Sequence, residues 1–296
     1  MRKQFTKTLK EILYSDDKTV LFLGDIGVYG FSDELKNIPE RAYNIGILEQ
    51  TMIGLAAGMS KSGMVPFVHT IAPFIVERAL EQIKLDFGYQ ELNGNFISVG
   101  GSYDFTGLGC THHCPADMSL LLTIPKMEVV IPGNGIEFDT LIKQTYKSGN
   151  PTYTRISENN HSQNISVQFG QANVIKKGTK ATVVCFGPML QQVVEATADM
   201  DVTVLYYSTV SPFDSKTLLE NFNTNIIVCE PFYEGTANHL IDLALNGKRH
   251  SKFNIGVPRR FLTNYGSKAE HDSEIGLDSS SIKEKISAWI KKGLGE

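Results

Sequence analysis

Val20-Leu21-Phe22-Leu23-Gly24-Asp25-Ile26-Gly27-Val28-Tyr29-Gly30 is an apolar run that breaks abruptly into a glycine-rich turn. The run reads as a buried strand, and the glycines let the chain leave it through conformations that other residues resist. Working outward, short apolar runs at 65–68, 95–99, 128–131 and 152–155 alternate with helical periodicity at 2–14, 49–61, 74–86 and 136–146. Strands alternating with helices in this way predict an α/β domain on a largely parallel sheet.

Residues 157–178 are polar and aperiodic, after which the alternation restarts. Strands are expected at 181–186, 202–206, 226–229 and 253–256, with helices at 189–198, 215–221, 237–245 and 281–291. The fold class is α/β, two domains, each a mostly parallel sheet flanked by helices. Their boundaries are 1–160 and 179–296, with a linker over 161–178.

Composition excludes several functions. In 296 residues, 28 Lys plus Arg face 32 Asp plus Glu, a net charge of −4, which offers no electrostatic basis for binding nucleic acid or an anionic membrane. Hydrophobic residues at 42% against 20% charged are enough for a sizeable core. No apolar run reaches the roughly 18 residues that span a bilayer, and Met1-Arg2-Lys3-Gln4-Phe5-Thr6-Lys7 lacks the apolar centre of a signal peptide. A cytoplasmic location is the expectation. Four cysteines in a chain of this length are no disulfide framework, and Cys185 and Cys229 end apolar strands as core thiols.

Three segments carry candidate chemistry. The 24–30 turn matches neither GxGxxG nor a P-loop, so it is either a plain strand-to-loop turn or an anion cradle. Asp25 nevertheless stands at the carboxyl end of a strand, where sheets of this type present functional groups. Second, Asn44-Ile45-Gly46-Ile47-Leu48-Glu49-Gln50 opens a helix of small and apolar residues, expected to be buried on most sides. Burial favours a neutral carboxyl and a helix N-terminus favours the anion, so Glu49 suits either proton transfer or simple capping. Third, Gly107-Leu108-Gly109-Cys110-Thr111-His112-His113-Cys114-Pro115 invites a zinc reading. Structural zinc pairs knuckles across a longer loop and adjacent histidines rarely share one ion, so no metal ligand is assigned. The glycines instead suggest a loop that brings imidazoles to a small ligand. His161, His239, His250 and His271 read as structural or exposed.

Together these segments resemble the transketolase family of thiamine diphosphate enzymes, specifically its pyrimidine-binding and C-terminal domains, along the whole chain. The resemblance is carried by Gly24-Asp25, Gly46 to Gln50, Phe74 to Gln82, the Gly107 to His112 segment and Ile124-Pro125-Lys126-Met127-Glu128-Val129-Val130-Ile131-Pro132. Tyr265-Gly266-Ser267 and Glu274-Ile275-Gly276-Leu277-Asp278 are similar to its closing motif. It implies a transferase that moves a two-carbon ketol unit between sugar phosphates, as in pentose phosphate metabolism. Glu49 would bond the cofactor's aminopyrimidine and promote the thiazolium ylid. Asp25, Phe74 and Ile75 would complete the cofactor site. His112 would handle substrate protons with His113 as a second contributor. Tyr29, Tyr103 and Arg155 would join His112 at the substrate, Arg155 through a bidentate grip on phosphate.

There are departures. The family's two aromatic positions fall on Ala72 and Ile75, Tyr29 replaces a phosphate-binding serine, Tyr103 replaces a substrate histidine, and an acidic stretch shrinks to Gly109-Cys110. The Gly-Asp-Gly and downstream Asn that hold diphosphate through Mg²⁺ have no counterpart. The resemblance therefore implies the C-terminal half of a split transketolase. A partner subunit would supply the Mg²⁺ site, and self-association would give a heterotetramer. A 2-oxoacid dehydrogenase β subunit, a 1-deoxy-D-xylulose-5-phosphate synthase-like activity and a non-catalytic scaffold are the alternatives.

Overall fold

The continuous apolar runs become strands buried on both faces, as parallel strands between helical layers must be. The computed structural model describes residues 1–293. The first sheet uses β1 (Thr19–Leu23), β2 (Ala42–Asn44), β3 (Val65–Ile71), β4 (Gly94–Val99), β5 (Glu128–Val130) and β6 (Pro151–Ile156). The second uses β7 (Ala172–Lys176), β8 (Thr182–Phe186), β9 (Thr203–Tyr207), β11 (Asn225–Tyr233) and β12 (Ser251–Val257), while β10 (Thr209–Ser211) crosses back to the first. The orders are β10-β5-β6-β4-β3-β1-β2 and β12-β11-β8-β9-β7. All pairings are parallel except β10 with β5 and β7 with β9. Two mostly parallel sheets with helices are the fold read from the alternation.

Several details differ from that reading. The expected linker over 161–178 contains β7, whose half-exposed residues suit a sheet edge better than a core. The short strands β2 and β10 carry too few residues to announce themselves. The helix expected at 74–86 is broken into Ala72–Val76, Leu80–Gln82 and a π-helical segment Ile83–Tyr89. Gly88 lets this segment pack closely on Ile124, where a Cβ would lie only 2.7 Å from that side chain. The break also takes Arg78 out of the helix.

Helix Glu49–Lys61 is less buried than its composition predicts. It packs Met52, Ile53, Ala56 and Ala57 into the core and leaves Thr51, Gly54, Leu55 and Gly58 exposed. Phe22, Tyr43, Ile45, Leu55 and Met59 line an apolar cleft of about 460 Å³ beside this face. Ile47 and Leu48 stand exposed next to it.

One apolar cluster runs unbroken from Phe22, Met52 and Phe96 through Met118 and Met127 to Val210, Phe186 and Phe232, so both sheets share a core. Polar ties reinforce it. Glu137 receives the Tyr206 hydroxyl at 2.5 Å and lies 2.8 Å from the ring of His161. His161, expected to be structural or exposed, is buried in this tie. The parallel strands align their carboxyl ends along one edge, with Leu23 beside both Asn44 and His69, and Ser98 beside Arg155. The loops that follow this edge hold nearly every candidate residue.

Candidate active site

Glu49 is the first residue of its helix and only 1% exposed. The side chain sits at the positive end of the helix, with the Arg78 guanidinium 2.5 Å from Oε2. Its Oε1 is buried with no protein partner, so the carboxylate offers one open acceptor. Leaving such an atom unmatched costs about 1–3 kcal/mol. A ligand N–H would satisfy it.

A row of rings continues from this pair. The Arg78 guanidinium lies 4.3 Å over the Phe74 ring, and Phe74 meets His112 edge-on at 5.4 Å. Phe105 flanks the far side of His112 at 6.4 Å, and Thr111 Oγ1 lies 2.9 Å from its Nδ1. His112 is therefore oriented by three neighbours yet partly open to solvent. An anionic acceptor, a flat aromatic face and a positioned imidazole stand along one loop edge.

Asp25 occupies the next loop, in a left-handed conformation at φ 58°. Asn44 braces it reciprocally: the Asp25 amide donates to Asn44 Oδ1 at 3.0 Å, and Asn44 Nδ2 donates to Asp25 Oδ1 at 3.2 Å. The Gly46 amide also donates to Asn44 Oδ1, at 3.3 Å. Thus one side chain couples the glycine-rich turn to the loop that delivers Glu49. Beneath this turn His69 is buried, donating from Nδ1 to the Ile97 carbonyl at 2.9 Å. Burial depresses its pKa to about 4. Gly27 passes so close that a Cβ would sit 3.1 Å from the His69 ring.

Several expected site residues lie elsewhere. Ile75 is wholly buried in the shared core, so it has no face to offer a cofactor. Tyr29 is 96% exposed on a turn without a side-chain partner. Tyr103 is buried against the second domain, donating to Asp272 and stacking on His271 at 6.0 Å. Arg155 is 2% exposed, with Nε 2.9 Å from Asp117 and Nη2 donating to the Pro231 carbonyl at 3.0 Å. A guanidinium enclosed in this way is a tie between domains rather than an open phosphate grip. His113 turns away from His112 and is buried edge-on to His271 at 6.2 Å.

Arg78, Asn44 and Phe105 were missed as site residues from the sequence. Arg78 carried a signal, since it follows Phe74 by four positions, but its pairing with Glu49 depends on the helix break. Among the described residues no three His, Cys, Asp or Glu side chains are grouped to hold a metal. The four thiols are free, with Cys114, Cys185 and Cys229 buried and pushed upward in pKa by that burial.

Residues 1–163 match the family described as transketolase, pyrimidine binding domain. An uncharacterized 33.6 kDa protein in the fasciation locus of Rhodococcoides fascians is 34% identical over 291 residues, covering 97% of this chain and 93% of that one. One of the subunits of apulose-4-phosphate transketolase from Phocaeicola vulgatus is 28% identical over 305 residues, covering 98% and 97%. Among solved structures, a split gene transketolase described as an inactive beta4 tetramer superposes with a TM-score of 0.85 at 23% identity, covering 98% and 97%.

Proposed function

The chain belongs to the transketolase pyrimidine-binding domain family, and on that premise we propose that it is the C-terminal subunit of a split, thiamine diphosphate-dependent transketolase. The observation that carries this reading is Glu49, a buried carboxylate with one oxygen held by Arg78, itself over the Phe74 ring, and the other unpartnered. That arrangement fits the aminopyrimidine end of thiamine diphosphate. When bound, the cofactor supplies a carbon nucleophile able to carry a two-carbon ketol unit.

In this proposal Glu49 Oε1 accepts a hydrogen bond from the pyrimidine ring and holds its proton at that nitrogen. Arg78 holds the Glu49 side chain in place, and Phe74 packs against the ring. His112, steadied by Thr111 and two aromatic edges, moves protons on substrate hydroxyls, help typically worth about 10²–10⁴-fold. Asp25 and Asn44 set the loop that frames the cofactor. The sequence carries no Gly-Asp-Gly, so the Mg²⁺–diphosphate end is assigned to a partner subunit. The solved relative's description as a beta4 tetramer, together with the exposed apolar face around Leu55, supports self-association as well.

The test combines this chain with its partner subunit, thiamine diphosphate and Mg²⁺, and follows ketol transfer from hydroxypyruvate. Glu49→Gln should lower the rate by at least about 10²-fold. An unchanged rate would refute the role of Glu49.

A further inference from the structure

Between the Thr-His loop and the second domain lies a partly open pocket of about 90 Å³, lined by Glu77, Cys110, His113, Tyr233, Arg260 and Leu262 among others. One ordered water needs about 10–15 Å³ of such space, so the pocket has room for a hydroxylated fragment of several carbons. Its lining residues neighbour the candidate site in sequence: Glu77 precedes Arg78, and Cys110 and His113 flank Thr111 and His112.

His113 is 8% exposed, and neither ring nitrogen has a hydrogen-bond partner of ordinary geometry. Imidazoles this buried are normally bonded at one nitrogen or both. Burial and the neighbouring His271 also lower its pKa, and burial raises that of Glu77. The groups facing the space are thus an imidazole, a carboxyl, a thiol and the Tyr233 phenol, all able to exchange hydrogen bonds with hydroxyls. Arg260, also in the lining, pairs at the surface with Glu274 at 3.4 Å, and Arg259 lies 5.9 Å over the Tyr233 ring.

The neighbouring position expected to grip phosphate is closed. Arg155 is matched by Asp117, and the cavity beside it is only about 20 Å³, with Asp104 in its wall. We propose that the Glu77–His113–Tyr233 pocket is a subsite for an uncharged, hydroxylated end of the sugar substrate, which carries no phosphate there. This rests on the transketolase reading above and narrows its substrate class.

Two measurements test it. With the assembled enzyme and hydroxypyruvate as donor, D-erythrose should exceed D-erythrose 4-phosphate as acceptor at least tenfold in kcat/KM. Tyr233→Phe and His113→Asn should raise KM for D-erythrose about tenfold, more than they change kcat. Preference for the phosphorylated acceptor, or unchanged KM in both variants, would overturn the subsite. Hydroxypyruvate consumption by the unaltered enzyme reports on the transferase reading alone. Independently of any turnover, ¹⁵N-histidine NMR of the full chain should show saturable shifts of the His113 ring with erythritol and none with inorganic phosphate. The reverse pattern, or no shift with erythritol, would refute the pocket's assignment.

Discussion

Arg155→Met separates a structural guanidinium from a substrate-binding one. The native side chain touches Asp117 at 2.9 Å and donates to the Pro231 carbonyl at 3.0 Å across the domain boundary. Removing one member of a buried ion pair costs about 3–5 kcal/mol, because the survivor is left as a buried charge. Asp117 keeps two donors, the Met118 amide at 2.9 Å and the Tyr153 hydroxyl at 3.1 Å, so the low end, about 3 kcal/mol, applies. The orphaned carbonyl adds about 1 kcal/mol. A loss near 4 kcal/mol is expected in urea unfolding followed by circular dichroism. The double variant Asp117→Asn, Arg155→Met should recover most of it, since no unpaired charge remains. A loss below about 1 kcal/mol, joined to a raised KM for a phosphorylated sugar in the assembled enzyme, would show that Arg155 faces ligand and refute the reasoning.

Three other outcomes follow from the geometry. His69 has a pKa of about 4 in the fold against 6.5 when free, so the unfolded chain binds the extra proton between these values. Stability should therefore fall by about 3 kcal/mol as pH drops from 6.5 to 4, and His69→Gln should flatten that slope in thermal melts recorded across the range. Gly109→Ala places a methyl 2.8 Å from the Tyr265 ring at φ +73°. It should destabilise the chain by about 1–3 kcal/mol and displace the Thr-His loop, seen as reduced transfer with Glu49 intact. Leu55→Arg puts a charge on the exposed apolar face, and light scattering should report a smaller assembly; an unchanged mass would mean that this face is not an interface.

Much of the architecture was legible because buried parallel strands leave unmistakable apolar runs, such as 20–24 and 181–186. The burial of Glu49 was legible too, since it opens a helix of small and apolar residues, but the sequence left capping and proton transfer equally open. What escaped depends on contacts distant in sequence. Arg155 reads as a phosphate ligand until Asp117 is seen against it, and Ile75 reads as a site residue until its helix turns it inward. The Arg78–Glu49 pair required a helix that breaks, and periodicity alone predicts continuity through 74–86. The apolar helix at 49–61 read as buried on most sides because hydrophobicity does not say which of its faces this chain covers.

The strand Thr209–Ser211 has a consequence for how the polypeptide is made. It pairs with β5, which was synthesised some eighty residues earlier, so the border of the first sheet stays uncovered until residue 211 has emerged. A bare strand border is a template for pairing with other chains, and nascent molecules are exposed to it for that interval. A cut at the domain boundary would make the exposure permanent. The two halves are thus not interchangeable modules: a recombinant that swaps one for a relative's must carry a matching closing strand or inherit a sticky border.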